Sequence, residues 1–167
     1  QEIFMTETAK LAHVVLPAGC FFEKDGTFTN AERRVRKLNQ AIPLPKGTKH
    51  DWEIICLIAS AMGHPMHYNH PSEIMGEIAS LTSEFAGIDY ERLEGDGLVW
   101  PVWDKKHPGT PILHKDTFTR GKGRFNDLLY TQSEELPDSN YPLCLTTGRR
   151  LYHYNNGSMS LRNPEIY

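Results

Sequence analysis

Two guanidiniums, an imidazole and two amides crowd one short stretch, Thr147-Gly148-Arg149-Arg150-Leu151-Tyr152-His153-Tyr154-Asn155-Asn156-Gly157-Ser158-Met159. Forked Arg donors, amide groups and a small Gly turn suit a diphosphate joined to a polar heterocycle. A second set runs from Glu2 through Lys24 and Gly26 to Asp51. A carboxylate at a strand end accepts two ribose hydroxyls in dinucleotide folds. Lys24 can meet a phosphate as a point charge, and Gly26 lets backbone approach a ligand closely. The Asp51 carboxylate can accept both N–H groups of a guanine edge.

The other reactive side chains read more plainly. Cys20, Cys56 and Cys144 are far apart and odd in number. No disulfide framework, zinc site or iron–sulfur site is legible, and reduced, mostly buried thiols are expected. His64, His67 and His70 recur every third residue, which on a helix could suggest ligands. Gly63, Pro65 and Pro71 make that segment a loop, so no metal ligand is assigned. Glu23 and Glu32 read as ion-pair partners of neighbouring Arg or Lys, because nothing supplies a nucleophile. Arg33, Arg34, Arg36 and Lys37 suit either a solvated face or phosphate neutralisation. Trp100 and Trp103 read as packing residues. A formal net charge of −3 argues against a general nucleic-acid binder. No apolar run approaches bilayer-spanning length, and no signal segment opens the chain.

These groups need elements to position them. Thr6 caps a short helix over 7–12, and 13–17 reads as a buried strand stopped by Pro17. Residues 19–30 read as a loop turning at Gly26, and 31–40 as irregular and arginine-rich. A surface turn falls at 43–47. Asp51 is expected to cap a helix over 52–62 that Gly63 ends, with Ile54, Ile55, Ile58 and Met62 facing the core. A second helix begins near Pro71 and carries Ile74, Ile78 and Leu81 at helical spacing. Residues 111–125 suggest a hairpin with turns at Gly121 and Gly123. Residues 132–140 read as a linker, and 141–146 as the strand that delivers the Arg–His stretch to a sheet edge. Length admits one ordinary core, or one domain plus part of another, and both ends look cut from something larger.

The ordered patterns T-x-T-A-x-x-A-x-V-V-L-P, E-K-D-G-x-x-x-N-x-E-R-R, D-W and T-G-R-x-x-x-H-Y resemble the molybdopterin oxidoreductases, the dimethyl sulfoxide reductase superfamily. The resemblance covers essentially the whole chain and is nearest to a C-terminal-half segment of formate dehydrogenase catalytic subunits, with nitrate reductases as cousins. It implies a partial Rossmann-like α/β domain over 1–115, a β-rich connector and linker over 116–140, and over 141–167 the first strand of a double-psi β-barrel. It implies bis(molybdopterin guanine dinucleotide) carrying molybdenum or tungsten, with a 4Fe–4S centre in an N-terminal part outside this chain. The intact subunit would oxidise formate to carbon dioxide and pass electrons to iron–sulfur centres.

Residue by residue, the resemblance places Glu2 near the guanosine ribose with Thr6 beside it, and Lys24 and Asp51 at further dinucleotide contacts. The contact loop comprises Thr147, Gly148, Arg149, Arg150, Leu151, His153, Tyr154, Asn155, Asn156 and Ser158. The implied partners are the remainder of the subunit, iron–sulfur electron-transfer subunits and formate, with no nucleic acid and no membrane span. The location is expected to be cytoplasmic. The catalytic and metal-ligating residues of the family fall outside this segment, so the segment alone is expected to be inactive. His13, Arg150, Asn155, Asn156 and Leu161 depart from the usual pattern and bear most on the substrate. The rival readings are a nitrate reductase segment and a non-catalytic relative such as the large subunit of bacterial respiratory complex I.

Overall fold

The computed structural model describes residues 1–166. Two compact units divide the chain, Gln1–Thr117 and Phe118–Tyr167.

The first unit is a small α/β assembly. Its sheet has three antiparallel strands in the order β1 (Gly26–Thr29), β2 (Arg34–Leu38), β3 (Leu98–Val99). Gly26 pairs with Leu38 and Thr29 with Val35, so β1 and β2 form a hairpin. Gly26 therefore opens a strand and does not form a turn. The turn is built by Asn30, whose Oδ1 accepts the N–H groups of Glu32 and Arg34, each at 3.0 Å. Arg33 completes it in the left-handed region at φ 64°. The expected irregular stretch 31–40 is thus mostly turn and strand. Charge disguises β2, which sends Val35 into the core while Arg36 faces solvent.

β3 crosses β2 with Val35 opposite Leu98. Gly97 makes that approach possible: its φ is 70°, and a Cβ there would lie 2.1 Å from the Val35 carbonyl oxygen. Val35 joins Met75, Ile88, Leu93 and Val102 in the core, with Phe85, Tyr90, Leu98 and Trp100 packed around it.

Three helices complete the unit: α1 (Glu7–Lys10), α2 (Asp51–Ala61) and α3 (Pro71–Leu81). α1 is shorter than the expected 7–12. Thr6 caps it, its hydroxyl accepting the Ala9 N–H at 3.1 Å. α2 starts at Asp51 itself; His50 takes the cap position, and the Glu53 carboxylate accepts the His50 N–H at 2.9 Å. Asp51 is drawn into an ion pair instead. Ile54 and Cys56 are the buried residues of α2, while Ile55, Ile58 and Met62 face outward, so the expected core stripe is rotated. α3 begins at Pro71 as expected, but its buried residue is Met75, and Ile78 and Leu81 are exposed.

Residues 13–17 do not form a buried strand, and Val14 is exposed. What forms is smaller. Glu2 bridges Pro17 and Ala18 bridges Lys49, both in parallel. The Ala18 N–H donates to the Glu2 carbonyl and the Gly19 N–H to the Lys49 carbonyl, each at 3.3 Å. Three short extended segments thus run side by side, with α1 between the first two.

The second unit, considered separately, holds two 3-10 turns, Ser160–Arg162 and Pro164–Ile166, and one isolated bridge, Phe118 to Gly121. The bridge and Gly121 at φ 84° are what remains of the expected hairpin over 111–125. Residues 141–146 form no strand: Leu143 and Leu145 are 87% and 89% exposed, and no neighbouring strand supplies hydrogen bonds among the described residues. Cys56 is buried and Cys20 half-buried, but Cys144 is exposed, contrary to expectation.

Candidate functional site

In the first unit the parallel segments carry the candidate residues at their ends. Glu2 sits on one bridge and its carboxylate accepts the Ile3 N–H at 2.9 Å. The third segment ends at Lys49, and Asp51 follows as the first residue of α2. The structure joins Asp51 to Lys24 in an ion pair, and the Gln1 side-chain amide donates to the other Asp51 oxygen. Lys24 also reaches the Gly19 carbonyl at 3.4 Å. Gln1 is a partner that no pattern in the sequence marked. Thr6 uses its hydroxyl to cap α1.

Lys24 and Asp51 border a cleft of about 270 Å³ walled by Phe28, Trp52, Ile74 and Tyr90. The Tyr90 hydroxyl is buried and has no hydrogen-bond partner among the described residues. Burial, with the Asp25 carboxylate adding to it, pushes the Tyr90 phenol above its ordinary pKa, so the ring stays a neutral donor. An apolar-walled cleft bordered by two acids, Asp25 and Asp51, and one ammonium suits a flat polar heterocycle.

In the arginine-rich hairpin the cationic side chains meet protein partners. The Arg33 guanidinium donates to the Trp100 carbonyl, and to those of Thr110 and Pro111 at 3.0 and 3.1 Å. Arg34 pairs with Glu32, Arg36 with Asp96 and Lys37 with Glu94. Trp100 packs on Phe85, while Trp103 is exposed, so only the first behaves as core. Glu32 is ion-paired as expected. Glu23 instead accepts the Cys20 N–H at 2.7 Å, closing a turn. His70 caps α3, its Nδ1 accepting the Ser72 N–H at 3.1 Å.

In the second unit the arginine–histidine stretch is a succession of turns and not the rim of a sheet. Residues 149–155 line an open hollow of about 630 Å³. The turns come from Asn155 at φ 53° and Gly157 at φ 75°, with the Gly157 N–H donating to the Tyr154 carbonyl at 2.9 Å. His153 Nδ1 lies 3.1 Å from the Ser160 hydroxyl, which holds the ring. The Ser158 N–H donates to the Asn156 side chain at 3.2 Å. Leu151 and Tyr154 are exposed, and Thr147, Gly148 and Arg149 lie on the same exposed run. The guanidiniums of Arg149 and Arg150 have no protein partner among the described residues, so their donors are available.

The family model for molybdopterin oxidoreductases matches residues 1–61. Over 99% of its length the chain is 49% identical to the F420-dependent formate dehydrogenase 2 subunit alpha of Methanococcus maripaludis. It is 48% identical, over 97% of its length, to the F420-dependent formate dehydrogenase subunit alpha of Methanocaldococcus jannaschii. The chain spans 25% of the length of each of these relatives.

Proposed function

From a chain that belongs to the molybdopterin oxidoreductases, we propose a segment of a molybdenum or tungsten formate dehydrogenase that grips the guanine dinucleotide ends of the cofactor. The observation that carries this is the pair of uncommitted guanidiniums over the 149–155 hollow. A diphosphate fits the bidentate geometry of arginine forks. The first unit, taken by itself, carries a second set of polar groups. Asp51 offers two acceptor oxygens beside an apolar wall. That set fits a purine edge better than it fits a metal, and among the described residues no three His, Cys, Asp or Glu groups gather to hold one.

In this reading Thr147, Gly148, Leu151 and Tyr154 contribute backbone and shape to the dinucleotide site, while Arg149, Arg150, Asn155, Asn156 and Ser158 contribute donors. Glu2, with Thr6 beside it, meets the ribose. His153, held by Ser160, donates toward the pterin. The parallel bridges at Glu2, Pro17, Ala18 and Lys49 support a Rossmann-like arrangement, since ligands of such folds bind beyond the carboxyl ends of parallel strands. A barrel beginning at 141 requires strand partners from the remainder of the subunit. When bound, the cofactor would supply the two-electron oxidation of formate to carbon dioxide and a proton, and Arg149, Arg150 and Asp51 would hold its dinucleotide ends. The residues of this segment orient the cofactor and hold its charge, which is the protein's usual share of such chemistry. Iron–sulfur centres and a partner subunit to carry the electrons onward complete the proposal. Among the described residues no helix is long and apolar enough to cross a membrane.

The test uses the intact subunit. Acid hydrolysis should release GMP in proportion to bound molybdenum or tungsten, and formate should reduce an artificial dye. Metal bound without GMP, or a pterin released with another nucleotide, would contradict the dinucleotide assignment. Nitrate-dependent dye oxidation without formate activity would replace the substrate.

A further inference from the structure

We propose that Lys24 is a positioning residue that acts through Asp51, and not a direct contact to the diphosphate; the proposal rests on Asp51 being the nucleobase acceptor. The sequence places Lys24 where a phosphate contact is natural. The structure gives its ammonium other work. One Asp51 oxygen takes Lys24 and the other takes Gln1. The second protein acceptor for Lys24 is the Gly19 carbonyl at 3.4 Å.

That carbonyl is itself fixed. The Gly19 N–H is tied to Lys49, and a Cβ on Gly19 would come within 2.3 Å of Leu44 Cδ1. The backbone that closes the parallel segments therefore holds Lys24, and Lys24 holds Asp51. The Lys24 side chain is 25% exposed and that of Asp51 is 42% exposed. The acid, not the ammonium, presents the freer face.

A carboxylate offers about four lone-pair sites, and two are occupied here. The remaining two suit a coplanar pair of N–H donors. A Lys24–Asp51 pair is close to neutral as a whole and attracts a phosphate weakly, and the phosphate would also sit against the Asp51 charge. The start of α2 favours the negative charge of Asp51 as well.

A double-mutant cycle in the intact subunit tests this, read as the rate at which cofactor is lost on dilution and followed as GMP recovered from the protein. Lys24→Met and Asp51→Asn should each speed loss about tenfold, the size of a charge-assisted hydrogen bond. Lys24→Arg should stay within about threefold of the unmodified protein, a rescue that requires the charge. In the Asp51→Asn background, Lys24→Met should add less than about twofold, because the two act as one unit. A further tenfold in that background would overturn the positioning role and put Lys24 on the ligand itself. Unchanged loss in Asp51→Asn alone would overturn the base-acceptor reading, and this proposal with it. If Lys24→Met fails to fold, Lys24→Gln carries the same cycle.

Discussion

Arg33 and Arg149 lie in two basic stretches and behave in opposite ways. Arg33 is committed to three backbone carbonyls of its own unit, and the charged groups around it pair with Glu32, Glu94 and Asp96. Arg149 and Arg150 meet nothing among the described residues and border an open hollow. The same contrast runs through the apolar residues. Ile88 and Val102, in the first unit, are 0% exposed, whereas in the second Leu143 and Leu145 are almost fully exposed. Among the described residues every buried hydrophobic side chain belongs to the first unit. A residue type therefore says little about its use. What separates the committed arginine from the exposed ones is whether local backbone has carbonyls to satisfy it.

The largest effect expected is in hydrogen exchange. Amides of β2 and α2 should be protected by orders of magnitude in the isolated chain, while 141–156 should exchange almost freely. In the intact subunit 141–156 should become protected. Equal protection of both stretches in the isolated chain would end the contrast.

Core substitution should follow the same division. Ile88→Ala should destabilise the first unit by about 2–5 kcal/mol, measured by denaturant unfolding. Leu145→Ala should change the stability of the isolated chain by no more than about 0.5 kcal/mol. A large effect of Leu145→Ala in the isolated chain would mean that the second unit has a core of its own.

The smallest effect concerns acid. Burial alone would raise the pKa of Asp89, but the Lys105 side chain and the Arg92 N–H outweigh it and hold the carboxyl below its ordinary value. A carboxyl lowered in the folded state stabilises that state at pH above its unfolded value of about 3.9, and the contribution disappears as pH falls through the folded value. The stability gap between the unmodified protein and Asp89→Asn should thus be constant above about pH 5 and close below it. A gap that persists at pH 3 would assign the loss to packing.

The sequence made the helices legible and hid the sheet, for physical reasons. Pro71 marks the start of α3 and Gly63 the end of α2, because these residues have narrow conformational preferences. The strand β2 was hidden by its basic residues, which are exposed or ion-paired on a hairpin that an Asn-built turn sets up. The apolar run 141–146 has strand composition but lacks a neighbour, and a strand is a property of two segments. At the candidate site, the motifs singled out Lys24, Asp51 and Arg149. They did not reveal that Lys24 and Asp51 pair, or that Gln1 joins them, because those relations depend on tertiary approach.

Under the proposed function, the Arg149 guanidinium holds the dinucleotide while the Arg33 guanidinium holds the fold. The direct measurement is GMP and metal content of the intact subunit carrying Arg149→Ala, set beside Arg33→Ala. A hydrogen bond to a charged group contributes roughly 1.5–3 kcal/mol, or about ten- to hundredfold in affinity. Arg149→Ala should therefore lower GMP and metal together while leaving the melting temperature of the cofactor-free protein in place, and Arg33→Ala should lower that melting temperature. Full GMP and metal content with normal turnover in Arg149→Ala would contradict the claim.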